Sequence, residues 1–234
     1  MSVAILDCGS GNLRSAAKAF EKMATKTTGP VYVTKCPDVV AKANFIVLPG
    51  QGAFPNVKKG LDSVPGLRES LKEQVVDCGK PFLGICVGMQ LMADISHEYM
   101  PTDGLGWLPG EVSKIDPNRY LKNEDEPFKV PHMGWNAVTI YDLDHPVLNN
   151  IDNGSYFYFV HSFQFKVKKK NHLIATADYG VMITAVVGRD NMIGTQFHPE
   201  KSQGMGLRLI PVSYTHLRAH ETSLQLVCRL LHEK

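Results

Sequence analysis

The sequence lacks the features that mark secreted, membrane-spanning and metal-binding proteins. Its 234 residues include five cysteines, an odd number, and no two of them form a CxxC pair. That pattern argues against both a disulfide framework and a structural zinc site. The N-terminus does not resemble a signal peptide, and no apolar run approaches the roughly 20 residues that span a bilayer. We therefore expect a cytoplasmic protein with free thiols, no metal, no cofactor and no membrane contact.

Net charge is also low. The chain has 25 Lys and Arg against 23 Asp and Glu, a formal charge of +2, whereas nucleic-acid-binding domains usually carry a pronounced basic surface. The one basic run, KVKKK at 166–170, is typical of a solvated loop. No nucleic-acid partner is predicted.

Short apolar runs alternate with amphipathic stretches in the first part of the chain. VAILD, VYVT, FIVL and PFLGI predict strands, while LRSAAKAFEKMA and the segment 57–76 predict helices between them. Nearly continuous apolar strands separated by helices are typical of a parallel sheet covered on both faces. One large α/β domain is therefore predicted.

The middle of the chain has a different pattern. GLGWLPGEVSKI, KVPHMGWNAVTIY and SYFYFVHSFQFKV alternate polar and apolar residues between Gly and Pro turns, which predicts antiparallel strands. ITAVVG and MIGTQF predict two further strands. The fold class is thus α/β, with a mostly parallel central sheet flanked by helices and additional antiparallel strands.

Cys86 stands in PFLGICVGMQ, between a predicted strand and the helical pattern VGMQLMADISH. Gly84 and Gly88 lie two residues to either side, as in the nucleophile elbow of hydrolases, where a sharp strand-to-helix turn exposes the nucleophile. A helix N-terminus favours a thiolate, and the N–H of Val87 would face an oxyanion formed beside the sulfur. The alternative is a cysteine that is simply a small buried hydrophobic residue.

Two other stretches supply what a nucleophile needs. His198 and Glu200 in QFHPEKSQ would project to the same side of an extended segment, so that the carboxylate could orient the imidazole. Gly50 and Gly52 in LPGQGAF follow the strand FIVL and could present N–H groups to an oxyanion. The alternatives are a polar surface loop and an ordinary βα turn.

Taken together, these motifs resemble the class I (triad) glutamine amidotransferase family over residues 3–210. The motifs that carry the resemblance are DCGSGN, LPGQGAF, PFLGICVGMQL, GLGW, PHMGWN, YFVHSF and TQFHPEKSQ. By this resemblance, Cys86 is the nucleophile, His198 the general base and acid, and Glu200 its orienting partner. The resemblance further implies glutamine as substrate, bound by Gly50, Gln51, Gly52, Val87, Gln90, His161 and Ser162. Many family members read PGVG where this chain reads PGQG, so Gln51 is a departure.

The order of PHMGWN, YFVHSF and HPEKSQ indicates a subgroup of the family that acts in histidine biosynthesis. Its members form heterodimers with a separate (β/α)8 cyclase subunit, which receives the ammonia. By the same resemblance, Asn12, Tyr158 and Lys201 lie toward that interface. Two alternatives remain open, namely a triad amidotransferase that serves another synthase, and an interaction module that has lost catalysis.

The C-terminal stretch, PVSYTHLRAHETSLQLVCRLLHEK, does not match the family. It resembles translated adaptor read-through, and we hypothesise that residues 211–234 form a non-native tail after an amidotransferase domain at 1–210. On that hypothesis Cys228, His216 and His220 have no functional role, although the two histidines have the i, i+4 spacing of a metal site. The segment SLQLVCRLLHEK could still form an amphipathic helix.

Overall fold

Two β-sheets organise the chain in a computed structural model, which describes residues 2–9, 13–23, 29–121, 126–142, 145–148 and 151–216, with side chains through residue 210. The larger sheet has nine strands in the order β2-β1-β3-β4-β13-β12-β11-β8-β9, and the smaller has four in the order β10-β7-β5-β6. The predicted α/β class with a parallel central region is confirmed.

One half of the large sheet is parallel. Its strands are β1 (Val3–Leu6), β2 (Val31–Thr34), β3 (Phe45–Gly50), β4 (Phe82–Cys86) and β13 (Met192–Thr195). Four of them, all but the edge strand β2, are buried along their whole length, because helices cover both faces of such a sheet. The C-terminal ends of β3, β4 and β13 lie together in the middle of the sheet, where Gly50 pairs with Cys86.

The other half is antiparallel, and β13 joins the two halves because it pairs in parallel with β4 and antiparallel with β12. Its further strands are β8 (His132–Ile140), β9 (Tyr156–His161), β11 (Leu173–Asp178) and β12 (Met182–Arg189). The small sheet contains β5 (Ile95–Ser96), β6 (Thr102–Asp103), β7 (Gly110–Lys114) and β10 (Phe163–Val167). The alternating segments of the sequence thus form antiparallel strands as expected, whereas β5, β6 and β11 were not predicted.

The helices of the described residues are α1 (Leu13–Met23), α2 (Pro37–Lys42), α3 (Phe54–Asp62), α4 (Leu67–Lys72), α5 (Val87–Gln90) and α6 (Gln203–His216), with a π-helix at Glu73–Asp77. The predicted helix LRSAAKAFEKMA corresponds to α1, whereas the other two predicted helices are too long. The single helix predicted over 57–76 is wrong: α3 ends before Pro65 and Gly66, and Gly66 has a φ of 76° that a helix cannot continue through.

The helix predicted over VGMQLMADISH is also wrong beyond its first turn. The carbonyls of Leu91, Met92 and Ala93 accept hydrogen bonds from the N–H groups of Leu105, Trp107 and Gly106. The GLGW loop therefore takes the acceptors that a longer helix would use, and the chain leaves α5 to enter β5. No helix within the described ranges is long and apolar enough to cross a membrane.

Candidate active site

Cys86 ends β4 in a backbone conformation that few residues adopt. Its φ is 55° and its ψ is −110°, and α5 begins at the next residue. Positive φ is uncommon for residues other than glycine and costs on the order of 1–3 kcal/mol, and such strain concentrates at active sites. The side chain is buried, yet it lines the main cavity of this region. The elbow predicted from the sequence is therefore present.

The glycines around Cys86 are required by close backbone contacts. A Cβ on Gly88 would lie 1.7 Å from the carbonyl oxygen of Leu48 in β3, and one on Gly84 would lie 2.7 Å from the carbonyl oxygen of Gly88. A Cβ on Gly50 would lie 2.8 Å from the Cβ of Val87. These contacts hold the elbow directly against the end of β3.

His198 and Glu200 follow β13, the strand next to Cys86. The ring of His198 donates from Nδ1 to Oε1 of Glu200 over 2.8 Å, and both side chains are almost fully buried. The segment is fixed at both ends, since the His198 N–H donates to the Tyr158 carbonyl and the Ser202 hydroxyl donates to the His198 carbonyl. Nε2 of His198 and Oε2 of Glu200 are buried and make no hydrogen bond among the described residues.

The protonation of His198 depends on its two neighbours. Burial by itself disfavours a charge on the ring, but the Cys86 sulfur, followed by the Glu200 carboxylate, outweighs it and raises the pKa of His198 to about 10. His198 therefore holds a proton at neutral pH while Cys86 is unmodified. Cys86 has the larger influence of the two.

These groups surround one cavity of about 400 Å³, a volume typical of a small-molecule site. Of the seven residues expected to bind substrate, six line this cavity, and Gly50 lies behind them, in register with Cys86. The predicted residues on its wall are the catalytic candidates Cys86 and His198, the substrate-side residues Gln51, Gly52, Val87, Gln90, His161 and Ser162, and the interface residue Lys201. Glu200 acts only from behind the His198 ring.

Gln90 is oriented by two acceptors. Its Nε2 donates to the carbonyl oxygen of Phe163 over 2.9 Å and to Oε1 of Gln196 over 3.1 Å. Nδ1 of His161 donates to the same Phe163 carbonyl over 2.8 Å. The substrate-side segment 161–163 is thereby tied to α5.

A second histidine lies behind His161. His132 packs between the rings of Phe159 and Tyr179, and its Nδ1 is 3.0 Å from Nε2 of His161. Burial lowers the pKa of His132 to about 4. The pKa of His161 is lowered to about 3, chiefly by burial and further by the neighbouring His132 and His198. Both rings are therefore neutral at pH 7, and His132 donates while His161 accepts.

Glu98, which the sequence reasoning missed, supplies a carboxylate to the cavity. Its Oε2 accepts the N–H of Phe54 over 2.7 Å, and burial raises its pKa although that hydrogen bond lowers it. Gln196 and His132 were missed as well. The available signal was a polar residue inside an apolar strand for Gln196 and the quoted PHMGWN motif for His132.

Two of the residues expected at the partner interface are described. Lys201 Nζ lies 6.0 Å from the centre of the Tyr158 ring, and Lys201 lines the cavity, which places both residues beside the site. The third, Asn12, lies outside the described residues. No group of three or more His, Cys, Asp or Glu within the described part of the chain could hold a metal ion.

Comparison with known proteins gives the family of the chain. Residues 4–210 match the model of the glutamine amidotransferase class-I family. The chain is 53% identical over 211 residues to the imidazole glycerol phosphate synthase subunit HisH of Cereibacter sphaeroides, and 52% identical over 215 residues to that of Rhodopseudomonas palustris. Each alignment covers 90% of this chain and 96% of the relative.

Solved structures show the same fold at low sequence identity. A crystal structure of a glutamine amidotransferase superposes with a TM-score of 0.63 at 15% identity, covering 90% of this chain and 98% of that one. A protein of Thermoplasma acidophilum described as a putative GMP synthase subunit superposes with a TM-score of 0.61 at 17% identity, covering 95% and 98%.

Proposed function

This chain belongs to the class-I glutamine amidotransferase family, and we propose that it is the glutaminase subunit of imidazole glycerol phosphate synthase. It would hydrolyse glutamine to glutamate and ammonia and pass the ammonia to a separate cyclase subunit in histidine biosynthesis. The observation that carries the chemistry is the Cys86 elbow next to the buried His198–Glu200 pair. The relatives at about half identity supply the biological context.

The first half of the reaction uses the Cys86 sulfur and the protonated His198 ring. The sulfur attacks the side-chain amide carbon of glutamine, so that an S–C bond forms and the carbonyl oxygen takes the negative charge. As the tetrahedral intermediate collapses, the C–N bond breaks and His198 gives its proton to the nitrogen, which leaves as ammonia. The raised pKa of His198 ensures that this proton is available at neutral pH.

The second half of the reaction needs His198 as a base, and the first half prepares it by lowering the pKa of the ring. Once the sulfur is in a thioester it has no negative charge, and the largest influence that raises the pKa of His198 is removed. The neutral ring can then take a proton from water, whose oxygen attacks the thioester carbon and releases glutamate. One water is consumed and one ammonia is formed for each glutamine.

Recognition of glutamine would use the remaining polar groups of the cavity. We assign the oxyanion to N–H groups of the Gly50–Gly52 segment and Val87, which lie at the adjoining ends of β3 and β4. The Glu98 carboxylate has the right charge for the α-ammonium group of an amino acid. His161 and Ser162 form the opposite wall, and Gln90 contacts that wall.

The cyclase would bind at the cavity mouth. We propose a heterodimer with a (β/α)8 cyclase in which Tyr158 and Lys201 contact the partner, because Lys201 lines the cavity and Tyr158 lies beside it, and in which Asn12 contributes from outside the described residues. The thiols of Cys8 and Cys86 are not in disulfides, which is in keeping with the cytoplasmic location that we propose.

The test is the variant Cys86→Ala in the presence of the cyclase subunit. Glutamine hydrolysis should fall to background while the melting temperature is retained, and a glutamine-like chloroketone should label the wild-type chain at Cys86. The matched control is Cys36→Ala, which removes an exposed thiol outside the cavity. Unchanged hydrolysis in Cys86→Ala would refute the proposal.

A further inference from the structure

We propose that Gln196 is a catalytic residue, which donates a side-chain N–H to the Cys86 sulfur and stabilises it as a thiolate. This inference rests on the proposed function and adds a fourth group to its reacting centre. The supporting contact is a distance of 3.7 Å between Nε2 of Gln196 and Sγ of Cys86, within the longer range of hydrogen bonds to sulfur. Both side chains are buried.

The sheet places these two residues opposite each other. β4 and β13 pair in parallel, with Gly84 beside Gly194 and Ile85 beside Thr195. One position further along each strand lie Cys86 and Gln196. The backbone of Gln196 is held from the other side, because its N–H donates to the carbonyl of Ala185 in β12. Its place beside the sulfur therefore follows from strand register.

The direction of the Gln196 amide can be derived from the groups around it. A backbone carbonyl can only accept, so the amide nitrogen of Gln90 must face the carbonyl of Phe163. That nitrogen has a second hydrogen, which needs an acceptor, and the Gln196 group beside it at 3.1 Å must therefore be the oxygen. The Gln196 nitrogen then has only one direction left, toward Cys86.

The hydrogen bonds that orient Gln90 and Gln196 begin at the Phe163 carbonyl, which is itself held in place. The Phe163 carbonyl accepts from both Gln90 and His161, and His161 in turn accepts from His132. Nδ2 of Asn136 lies 3.3 Å from Nε2 of His132 and donates to the carbonyl of Asp178 over 2.8 Å. Each group between the Asp178 carbonyl and Cys86 thus has a fixed role as donor or acceptor.

An oriented donor at the sulfur has a defined effect on the reaction. Hydrogen bonds to charged groups are roughly twice as strong as those between neutral groups, so the contact favours the thiolate over the thiol. It adds a hydrogen-bond donor to the electrostatic interaction that the sulfur already has with His198. Loss of the N–H should lower the fraction of Cys86 that is thiolate and so slow every reaction that starts from the thiolate, including one that does not require glutamine to bind.

The experiment compares Gln196→Met with Gln196→Glu in the full chain at pH 8. The probe is iodoacetamide, and carbamidomethylation of the Cys86 peptide is followed by mass spectrometry. Glutamine hydrolysis is measured in parallel with the cyclase subunit present. We expect Gln196→Met to slow alkylation and to lower kcat by about tenfold each, with KM changed less than twofold.

Gln196→Glu separates a direct role of Gln196, as a donor to the sulfur, from a supporting role, as an acceptor for Gln90. It keeps an oxygen for Gln90 but turns a second oxygen toward the sulfur, so it should react at least as slowly as Gln196→Met. It also carries the test if the methionine variant fails to fold. Recovery of the wild-type alkylation rate in Gln196→Glu, or a wild-type rate in Gln196→Met, would overturn the inference.

The matched control is Gln74→Met, the same substitution at a buried glutamine in the π-helix, outside the cavity. It should leave both rates unchanged. The two proposals fail in different ways: hydrolysis that persists in Cys86→Ala contradicts the glutaminase assignment, whereas normal alkylation in the Gln196 variants contradicts only the role of Gln196.

Discussion

In the proposed mechanism a single side chain, His198, is an acid first and a base later, and its neighbours change its pKa between the two steps. Cys86 is the largest influence that raises the pKa and is consumed by the first step, whereas Glu200 is permanent. The permanent partner therefore sets how basic the ring remains in the thioester.

Replacing Glu200 by glutamine tests this division. The Glu200→Gln variant should lower kcat by roughly 10²- to 10⁴-fold, as the loss of an orienting carboxylate does in other triads. The alkaline limb of its pH–rate profile should also move to lower pH, because the pKa of His198 falls when the carboxylate charge is lost. Steady-state hydrolysis between pH 6 and 10 measures both effects.

Glu111→Gln is the matched control for that experiment. Glu111 also faces a histidine, with Oε2 at 3.4 Å from Nε2 of His97, but both side chains are half exposed. Its substitution should leave kcat and the pH profile unchanged. A normal profile in Glu200→Gln would contradict the role of the carboxylate.

The neutral pair of His132 and His161 should make stability depend on pH. Their pKa values of about 4 and about 3 in the folded chain lie below the ordinary 6.5. As pH falls below about 6.5, the unfolded chain binds protons that the folded chain does not, and stability therefore decreases. Urea denaturation at pH 7 and pH 5 should show this loss.

The variant His132→Phe should reduce that loss between pH 7 and pH 5, because phenylalanine can stack between Phe159 and Tyr179 but cannot ionise. It should be less stable than the wild type at pH 7, since Nε2 of His161 loses its donor. An unchanged difference between the two pH values would contradict the assignment.

The elbow between β4 and α5 depends on glycine for reasons of space. Gly88→Ala should destabilise the protein by about 1–3 kcal/mol or more, because the new Cβ would meet the Leu48 carbonyl at 1.7 Å. The control Gly204→Ala adds a methyl group where no atom lies within 4 Å. Urea midpoints should fall for the first variant and remain close to wild type for the second.

The strands of the parallel half could be predicted because they are short apolar runs. The ends of the helices were predicted less well. The end of α5 depends on carbonyls of Leu91 to Ala93 that bond to the GLGW loop about 14 residues later in the chain. A helical periodicity cannot reveal such a competitor. The strand β11 was missed because LIATAD is short and lacks a strict alternation.

The catalytic candidates were found because each stands in a motif with a local physical logic. Glycines mark the elbow at Cys86, and the spacing of His198 and Glu200 brings them to one side. Glu98 has no such local mark. Gln196 is marked only as a polar residue inside an apolar strand, and that mark does not reveal its neighbours, which come from distant segments. The pairing of β4 with β13 places it beside Cys86.

At the scale of the whole molecule, the partner surface gives a further prediction. Tyr158→Ala should weaken copurification with the cyclase, because Tyr158 lies beside Lys201, which lines the cavity. Tyr120→Ala is the control, since Tyr120 is 73% exposed and does not line the cavity. Equal binding by both variants would contradict the proposed interface.

The proposed non-native tail at 211–234 begins inside a helix. Helix α6 continues across residue 211 to His216, so the proposed boundary does not coincide with the end of an element, and 217–234 lie outside the described residues. A chain that ends at His216 should hydrolyse glutamine as fast as the full chain. A source gene that encodes the same residues in frame would refute a non-native origin.

The junction at β13 has a consequence for control of the enzyme. The proposed nucleophile ends β4 and the proposed acid–base group follows β13, and the spacing of these adjacent buried strands, about 4.8 Å, is fixed by the hydrogen-bond ladder. A partner cannot change that spacing without opening the centre of the sheet. We therefore expect any control by the cyclase to act on the Gln51–Gly52 loop or on access to the cavity, while the two strands remain paired throughout the catalytic cycle.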